Sequence, residues 1–160
     1  MQTVDFPLYL FHHGKNFMAY DMFGAHPYSD AGKKGYMFRV WAPHAESVSV
    51  VGDFNEWNPD ANKMEKLLDG ETYELFIPGL KEYSIYKYCI RTKDGRFLYK
   101  ADPYAFHAET PSKTASKTYD LGGFKWSDKE YRKKRKTRDP YSSPMNIYEM
   151  HAGSWRMKQD

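Results

Sequence analysis

An all-β sandwich of immunoglobulin-like type is the fold this sequence predicts, and three observations predict it. At least six short strand-like runs follow one another within about 85 residues, most of them alternating apolar with polar positions. Two Asp-Gly pairs, Asp69-Gly70 and Asp94-Gly95, stand between such runs, and Asp-Gly suits the tight turn of a hairpin. No helical period of useful length interrupts the series. With 160 residues, the chain can hold one ordinary domain and some extensions.

Residues 1–34 read as a helical extension. Between Pro7 and Gly24 the apolar side chains suit one or two short helical turns, broken at Gly14 and stopped at Gly24. Leu8, Phe11, Phe17 and Phe23 then need a surface to pack on. His12 and His13 are adjacent, but no third ligand stands at a recognisable spacing, so no metal site is expected.

The sandwich is expected over residues 35–123. Phe38 and Val40 alternate with Met37 and Arg39, and Pro43 ends that strand because it cannot donate to a ladder. Val48 and Val50 alternate with Ser47 and Ser49 in the next. The turn Gly52-Asp53-Phe54-Asn55-Glu56-Trp57 follows, and it brings Trp57 to a sheet edge. Two readings of that tryptophan stay open on spacing alone: a flat platform for a sugar ring, or a cap on the core. Met64–Leu68 and Glu71–Ile77 flank the first Asp-Gly, and Ser84–Thr92 and Arg96–Lys100 flank the second. In Ser84–Thr92, Tyr86, Tyr88 and Ile90 form the inner face, and Ile85, Lys87, Cys89 and Arg91 the outer one, which makes Cys89 a partly exposed, unreactive thiol. Asp102-Pro103 breaks the ladder, and Thr114–Tyr119 supplies a last strand before Gly122-Gly123.

Residues 124–144 read as a basic linker helix. Ser127 and Glu130 make a capping box, and Arg132 to Lys136 follow as an unbroken basic run. Aromatics are not interleaved with these charges as a single-strand nucleic-acid binder requires, so a solvated connector is expected and no nucleic-acid partner. Asp139-Pro140 and Ser142-Ser143-Pro144 loosen the chain. Residues 145–151, MNIYEMH, then read as a new buried strand.

Composition narrows the rest. Aromatic residues make up 18% of the chain, which suits a sandwich core, a sugar-binding face or a docking surface. The net charge of +3 does not by itself imply nucleic acid. Cys89 is the single cysteine, and the first residues lack the basic start and apolar core of a signal peptide, so the cytoplasm is the expected compartment. No apolar run is long enough to cross a membrane.

Three blocks, in order, resemble the start of bacterial 1,4-alpha-glucan (glycogen) branching enzymes: YLFHHGKNFMAYDMFGAH at 9–26, FRVWAPHAESVSVVGDFNEWN at 38–58 and YKYCIRTKDGRFLYKADPYAF at 86–106. The second block taken alone resembles any family 48 carbohydrate-binding module, a group that includes isoamylases and the beta subunit of AMP-activated protein kinase. NIYEMHAGSWR at 146–156 resembles the first barrel strand of the branching-enzyme catalytic domain, which implies that residues 145–160 begin a (β/α)8 barrel. The resemblance implies a parent that transfers α-1,4-glucan segments to a 6-hydroxyl, through a carboxylate nucleophile and a carboxyl acid–base on later barrel strands. Such a barrel takes about 250 residues, so no catalytic residue is expected in this chain, and no cofactor.

What the resemblance implies for sugar binding is narrower. Trp57 and Lys87 match the turn tryptophan and the neighbouring lysine that contact glucan in such modules. Phe97 stands where the family has a second tryptophan, and a phenyl ring stacks without the indole's area or N–H donor. The expectation is therefore weak α-1,4-glucan binding by Trp57, Lys87 and Phe97, packing on the parent's barrel with Asp102–Tyr104 in the contact, and self-association through residues 146–155. A self-contained glycogen-binding regulatory module and an immunoglobulin-like interaction domain remain as alternatives.

Overall fold

The structure, a computed structural model, describes residues 5–155. The outer ends of the expected extension and barrel segment, residues 1–4 and 156–160, lie outside the described residues. The chain divides into two compact units, Met1–Gly123 and Phe124–Asp160.

The first unit is the expected β-sandwich. Its strands are β1 (Gly24–Asp30), β2 (Lys33–Trp41), β3 (Ala45–Gly52), β4 (Glu65–Lys66), β5 (Thr72–Pro78), β6 (Ile85–Thr92), β7 (Phe97–Lys100), β8 (His107–Ala108) and β9 (Ser116–Lys117). One sheet runs in the order β1-β2-β5-β4; the other runs β3-β6-β9-β8, with β7 also paired to β6. All these pairings are antiparallel.

Alternation decides the core. On β2, Tyr36, Phe38 and Val40 face inward opposite Ile77, Leu75 and Tyr73 of β5. In the second sheet Val48 and Val50 pair with Ile90 and Tyr88 on the same inner face. Phe38 meets Tyr86 edge to face across the two sheets, 5.0 Å between centroids. Direct neighbours across an antiparallel pair share a face, so a one-residue slip would turn this whole apolar set to solvent. Both Asp-Gly turns form as expected. Gly70 and Gly95 take φ of 72° and 83°, and their amides donate to Leu67 and Thr92.

The sandwich begins earlier than the sequence suggests. The expected helical extension is α-helix only over α1 (Asp5–His12), with a single 3-10 turn at Ala19–Asp21; residues 24–30 are β1 instead. Gly24, expected to stop a helix, has φ 100° and opens that strand, and a Cβ there would meet the Tyr104 carbonyl at 2.9 Å. β1 escapes notice because it carries Pro27 and a polar outer half, both tolerated on an edge strand. Leu8, Phe11, Ala19, Met22 and Phe23 build a small second cluster with Leu67 and Tyr104. Phe11 lies edge-on to Phe23 (4.7 Å) and to Trp41 (5.6 Å), so the sandwich supplies the surface that Leu8, Phe11 and Phe23 need, whereas Phe17 joins no packed cluster among the described residues and is 87% exposed. His12 joins this cluster to the β4–β5 hairpin, with Nε2 3.0 Å from Asp69 Oδ2.

Asp102 also differs from expectation. It is not part of an outward packing surface but sits buried, accepting hydrogen bonds from the Tyr86 hydroxyl (2.6 Å), the Tyr88 hydroxyl (3.1 Å) and the Tyr104 amide (2.8 Å). Burial raises its pKa, against the pull of those donors, and burial beside it drives both tyrosines' values up. Tyr104 turns inward and stacks on Phe23 at 5.3 Å.

Among the described residues the second unit has two helices, α2 (Lys129–Thr137) and α3 (Ala152–Trp155). The basic run is helical as expected, but its N-cap is Asp128 rather than Ser127, and no side-chain bond forms there. Residues 145–151 carry no strand, against expectation. A strand needs a ladder partner, and among the described residues this segment pairs with none. Ile147, Tyr148 and Met150 are exposed.

Candidate functional site

The end of β3 shapes one side of the outer face of the second sheet. After Gly52 the chain makes a 3-10 turn, Asp53–Asn55, closed by Glu56 and Trp57 in the left-handed region at φ 56° and 58°. Two successive non-glycine residues in that region cost on the order of 1–2 kcal/mol each, so the surroundings must hold them. Asn55 does so. Its Oδ1 accepts from the Gly52 amide (2.9 Å), and its Nδ2 donates to Val50 O (2.9 Å) and Asn62 Oδ1 (2.7 Å). Gly52 is required by close approach: a Cβ would lie 2.1 Å from Ile85 O and 2.6 Å from the Phe54 ring.

The two turn aromatics divide the work. Phe54 packs against the sandwich core and Trp57 does not, so the core-cap reading belongs to Phe54. Trp57 is half-buried at the sheet edge, where its indole N–H donates to Asp53 Oδ1 (2.8 Å) and its amide to Gly52 O (2.9 Å). Ring orientation is therefore fixed from two sides while part of the indole stays accessible.

Lys87 comes to the same end of the face through register. Gly52 pairs with Tyr86 and Val51 with Lys87 on β6. The Lys87 ammonium donates to Thr114 Oγ1 at 2.8 Å, which holds the charge over the sheet rather than in bulk water. Residue alternation had marked Lys87 but gave no signal for Thr114, whose partner is 27 positions away.

Phe97 lies elsewhere on this face. It opens β7 opposite Arg91, four residues beyond Lys87, or roughly 13 Å along the strand. The row on either side of Arg91 is Ser47 and Phe97, and the row at Cys89 is Ser49 and Tyr99. Here the surface dips into a depression of about 260 Å³ whose lining includes Glu46, Asp60, Lys63, Arg91 and Phe97, but neither Trp57 nor Lys87. The three expected sugar contacts thus fall into two patches on one face.

Cys89 lies on the outer face, as alternation requires, yet it is 2% exposed rather than partly exposed. It lines the depression between its neighbours Ser49 and Tyr99, and burial pushes its thiol pKa up, against a hydrogen bond from Tyr99. Among the described residues no group of three or more His, Cys, Asp or Glu side chains can hold a metal ion. Nor, among them, is any helix long and apolar enough to cross a membrane.

Residues 22–105 match the family described as Carbohydrate-binding module 48 (Isoamylase N-terminal domain). Among curated proteins, the chain is 47% identical over 153 residues to the 1,4-alpha-glucan branching enzyme GlgB of Bacillus subtilis, covering 96% of this chain and 24% of that protein. It is 49% identical over 152 residues to the enzyme of the same name from Butyrivibrio fibrisolvens, covering 95% of this chain and again 24% of the relative. The chain therefore spans about a quarter of the length of these relatives. Among solved structures, a Salmonella typhimurium protein described as an alpha amylase superposes with a TM-score of 0.52 at 21% identity, covering 69% of this chain and 17% of that one. A maltotriose complex of a pullulanase variant from Klebsiella pneumoniae gives 0.51 at 24% identity, covering 64% and 12%. At these identities the two structures speak for the fold alone.

Proposed function

The chain belongs to the carbohydrate-binding module 48 family, and from that premise we propose that it is the amino-terminal glucan-binding and docking module of a glycogen branching enzyme. The single observation that carries the proposal is the patch of Trp57 and Lys87. An indole held by Asp53 in the turn that follows β3 and an ammonium held by Thr114 on the β6 residue paired with Val51 come to the same end of the β3–β6 pair. Stacking on the apolar face of a glucose ring and donation to its hydroxyls are the two contacts such a pair offers. The shared identity with two branching enzymes supports this reading over a self-contained regulatory module or a generic interaction domain.

On this proposal the whole enzyme breaks an α-1,4 bond and rejoins the segment at a 6-hydroxyl, and the module's part is to hold α-1,4-glucan and to pack on the barrel. The exposed aromatics Phe6, Tyr9 and Phe17 leave apolar surface for that packing. Binding by the module alone is weak. One or two stacked aromatics on an open surface give little enclosure, and about 4 kcal/mol corresponds to a millimolar Kd. A cytoplasmic setting accords with the single, buried cysteine.

Calorimetric titration of the chain with maltoheptaose is expected to give a millimolar Kd, weakened about tenfold in Trp57→Ala, the loss of one stacked ring. Equal affinity in the two proteins would move the site away from the turn. An iodine-stain assay with amylose is expected to stay at blank, because the carboxylates belong to later barrel strands.

A further inference from the structure

The basic run of the second unit has no part in glucan binding, and its charge is locally uncompensated. Residues 124–144 hold eight Lys and Arg against three Asp and Glu. Basic side chains in the last turn of α2 suit the helix dipole, which accounts for Lys134 and Lys136. Arg135 and Arg138 have a further setting. Tyr131 and Arg135 are four residues apart, so they share one face of α2. At Arg138 the backbone turns extended, with ψ 129°, and the chain folds back. Three bonds hold the return: the Arg138 guanidinium donates to Pro144 O (2.8 Å), the Ser143 hydroxyl to Asp139 O (2.8 Å) and the Tyr141 amide to Asp139 Oδ1 (3.0 Å). Between the helix and the return lies a pocket of about 490 Å³, whose lining includes Tyr131, Arg135, Arg138 and Asn146 and no carboxylate. Among the described residues neither arginine pairs with an acid.

From this geometry we infer that the pocket binds the phosphate group of a small phosphate monoester whose ring body lies on Tyr131. A guanidinium presents parallel N–H groups that match two phosphate oxygens, and the pocket offers two such forks. A monoester carries about −1.5 to −2 charges at pH 7, and no carboxylate in the lining opposes it. The Asn146 amide adds a neutral donor, and the Tyr131 ring a flat apolar wall. The volume falls in the range of roughly 300–1,000 Å³ usual for small-molecule sites. A nucleic-acid strand needs several stacking rings in a row, and this lining has one. A sugar phosphate and a mononucleotide share the chemistry that the pocket recognises, a phosphate joined to a ring of modest size.

The test is amide-resolved NMR of the 160-residue chain titrated separately with glucose 1-phosphate, uridine monophosphate, inorganic phosphate and glucose. Saturable shifts at Tyr131, Arg135, Arg138 and Asn146 are expected with one or both esters and not with glucose; the tighter ester identifies the ring body. Arg135→Ala is expected to weaken ester binding about tenfold, and Arg135→Lys, which keeps the charge and loses the fork, about threefold. Lys133→Ala removes the same charge outside the pocket lining and is expected to change it less than about twofold. Tyr131→Ala is expected to weaken the esters about fivefold and to leave inorganic phosphate unchanged. Alanine is the best helix former, so α2 survives these changes, and circular dichroism checks that it does. Equal weakening by Arg135→Ala and Lys133→Ala, or shifts spread along the basic run without saturation, would overturn the pocket in favour of diffuse attraction. Absence of any shift with the three phosphates would overturn it as well.

Discussion

A few polar side chains set the positions on which this module depends. Asn55 closes the turn that presents Trp57, and Asp69 plays the matching part at the β4–β5 hairpin. Burial works against ionisation of Asp69, but hydrogen bonds from the Thr72 hydroxyl and amide, His12 and the Glu71 amide hold its pKa below the ordinary carboxylate value. The unfolded chain therefore binds more protons between that depressed value and about 3.9, and stability is lost as pH falls through the window. Urea midpoints at pH 6 and pH 3 should differ by more in the wild type than in Asp69→Asn; an equal difference would show that the cluster does not report on folding. The turn-former run brought Trp57 to a sheet edge and the two-residue period put Lys87 on the outer face, because both are local signals; their part in glucan binding was implied by the family resemblance alone. Thr114 was hidden because it meets Lys87 from 27 positions away in sequence.

Strands and turns were read with more success than their edges. The two hairpins follow from Asp-Gly, and the inner faces of β2, β3 and β6 from alternation. β1 was missed since an edge strand need not alternate cleanly, and β8 is two residues long, too short to carry a period; β9 falls inside the last strand expected over Thr114–Tyr119. The segment at 145–151 has the apolar content of a strand but no partner among the described residues, and content without pairing does not make one. Asp102 ties β6 to the segment that follows β7. The Asp-Pro pair revealed only a break in the ladder, since a partner 16 residues back in sequence leaves no local trace. Truncation in Asp102→Ala leaves the buried Tyr86 hydroxyl and the Tyr104 amide unpaired and the Tyr88 hydroxyl with only its 3.4 Å bond to the Arg39 carbonyl, and is expected to cost about 2–4 kcal/mol in chemical denaturation. Tyr86→Phe removes one donor and should cost about 1 kcal/mol. A near-neutral Asp102→Ala would mean that water replaces the carboxylate.

The sandwich carries its own core, and the second unit buries nothing among its described residues. Ile147, Tyr148 and Met150 at 84%, 68% and 53% exposure make that unit the place where self-association is expected. Light scattering should show mass rising with concentration for the 160-residue chain and constant for residues 1–124; a strictly monomeric long chain would assign that apolar surface no role in association. The proposed role of the whole molecule depends on the outer face of the second sheet holding α-1,4-glucan through Trp57 and Lys87. Native affinity electrophoresis through a gel containing glycogen tests it most directly. The chain is expected to be retarded relative to a glycogen-free gel, and Trp57→Ala and Lys87→Ala to regain most of their mobility. Unchanged migration of the wild type, or equal retardation of both variants, would contradict it.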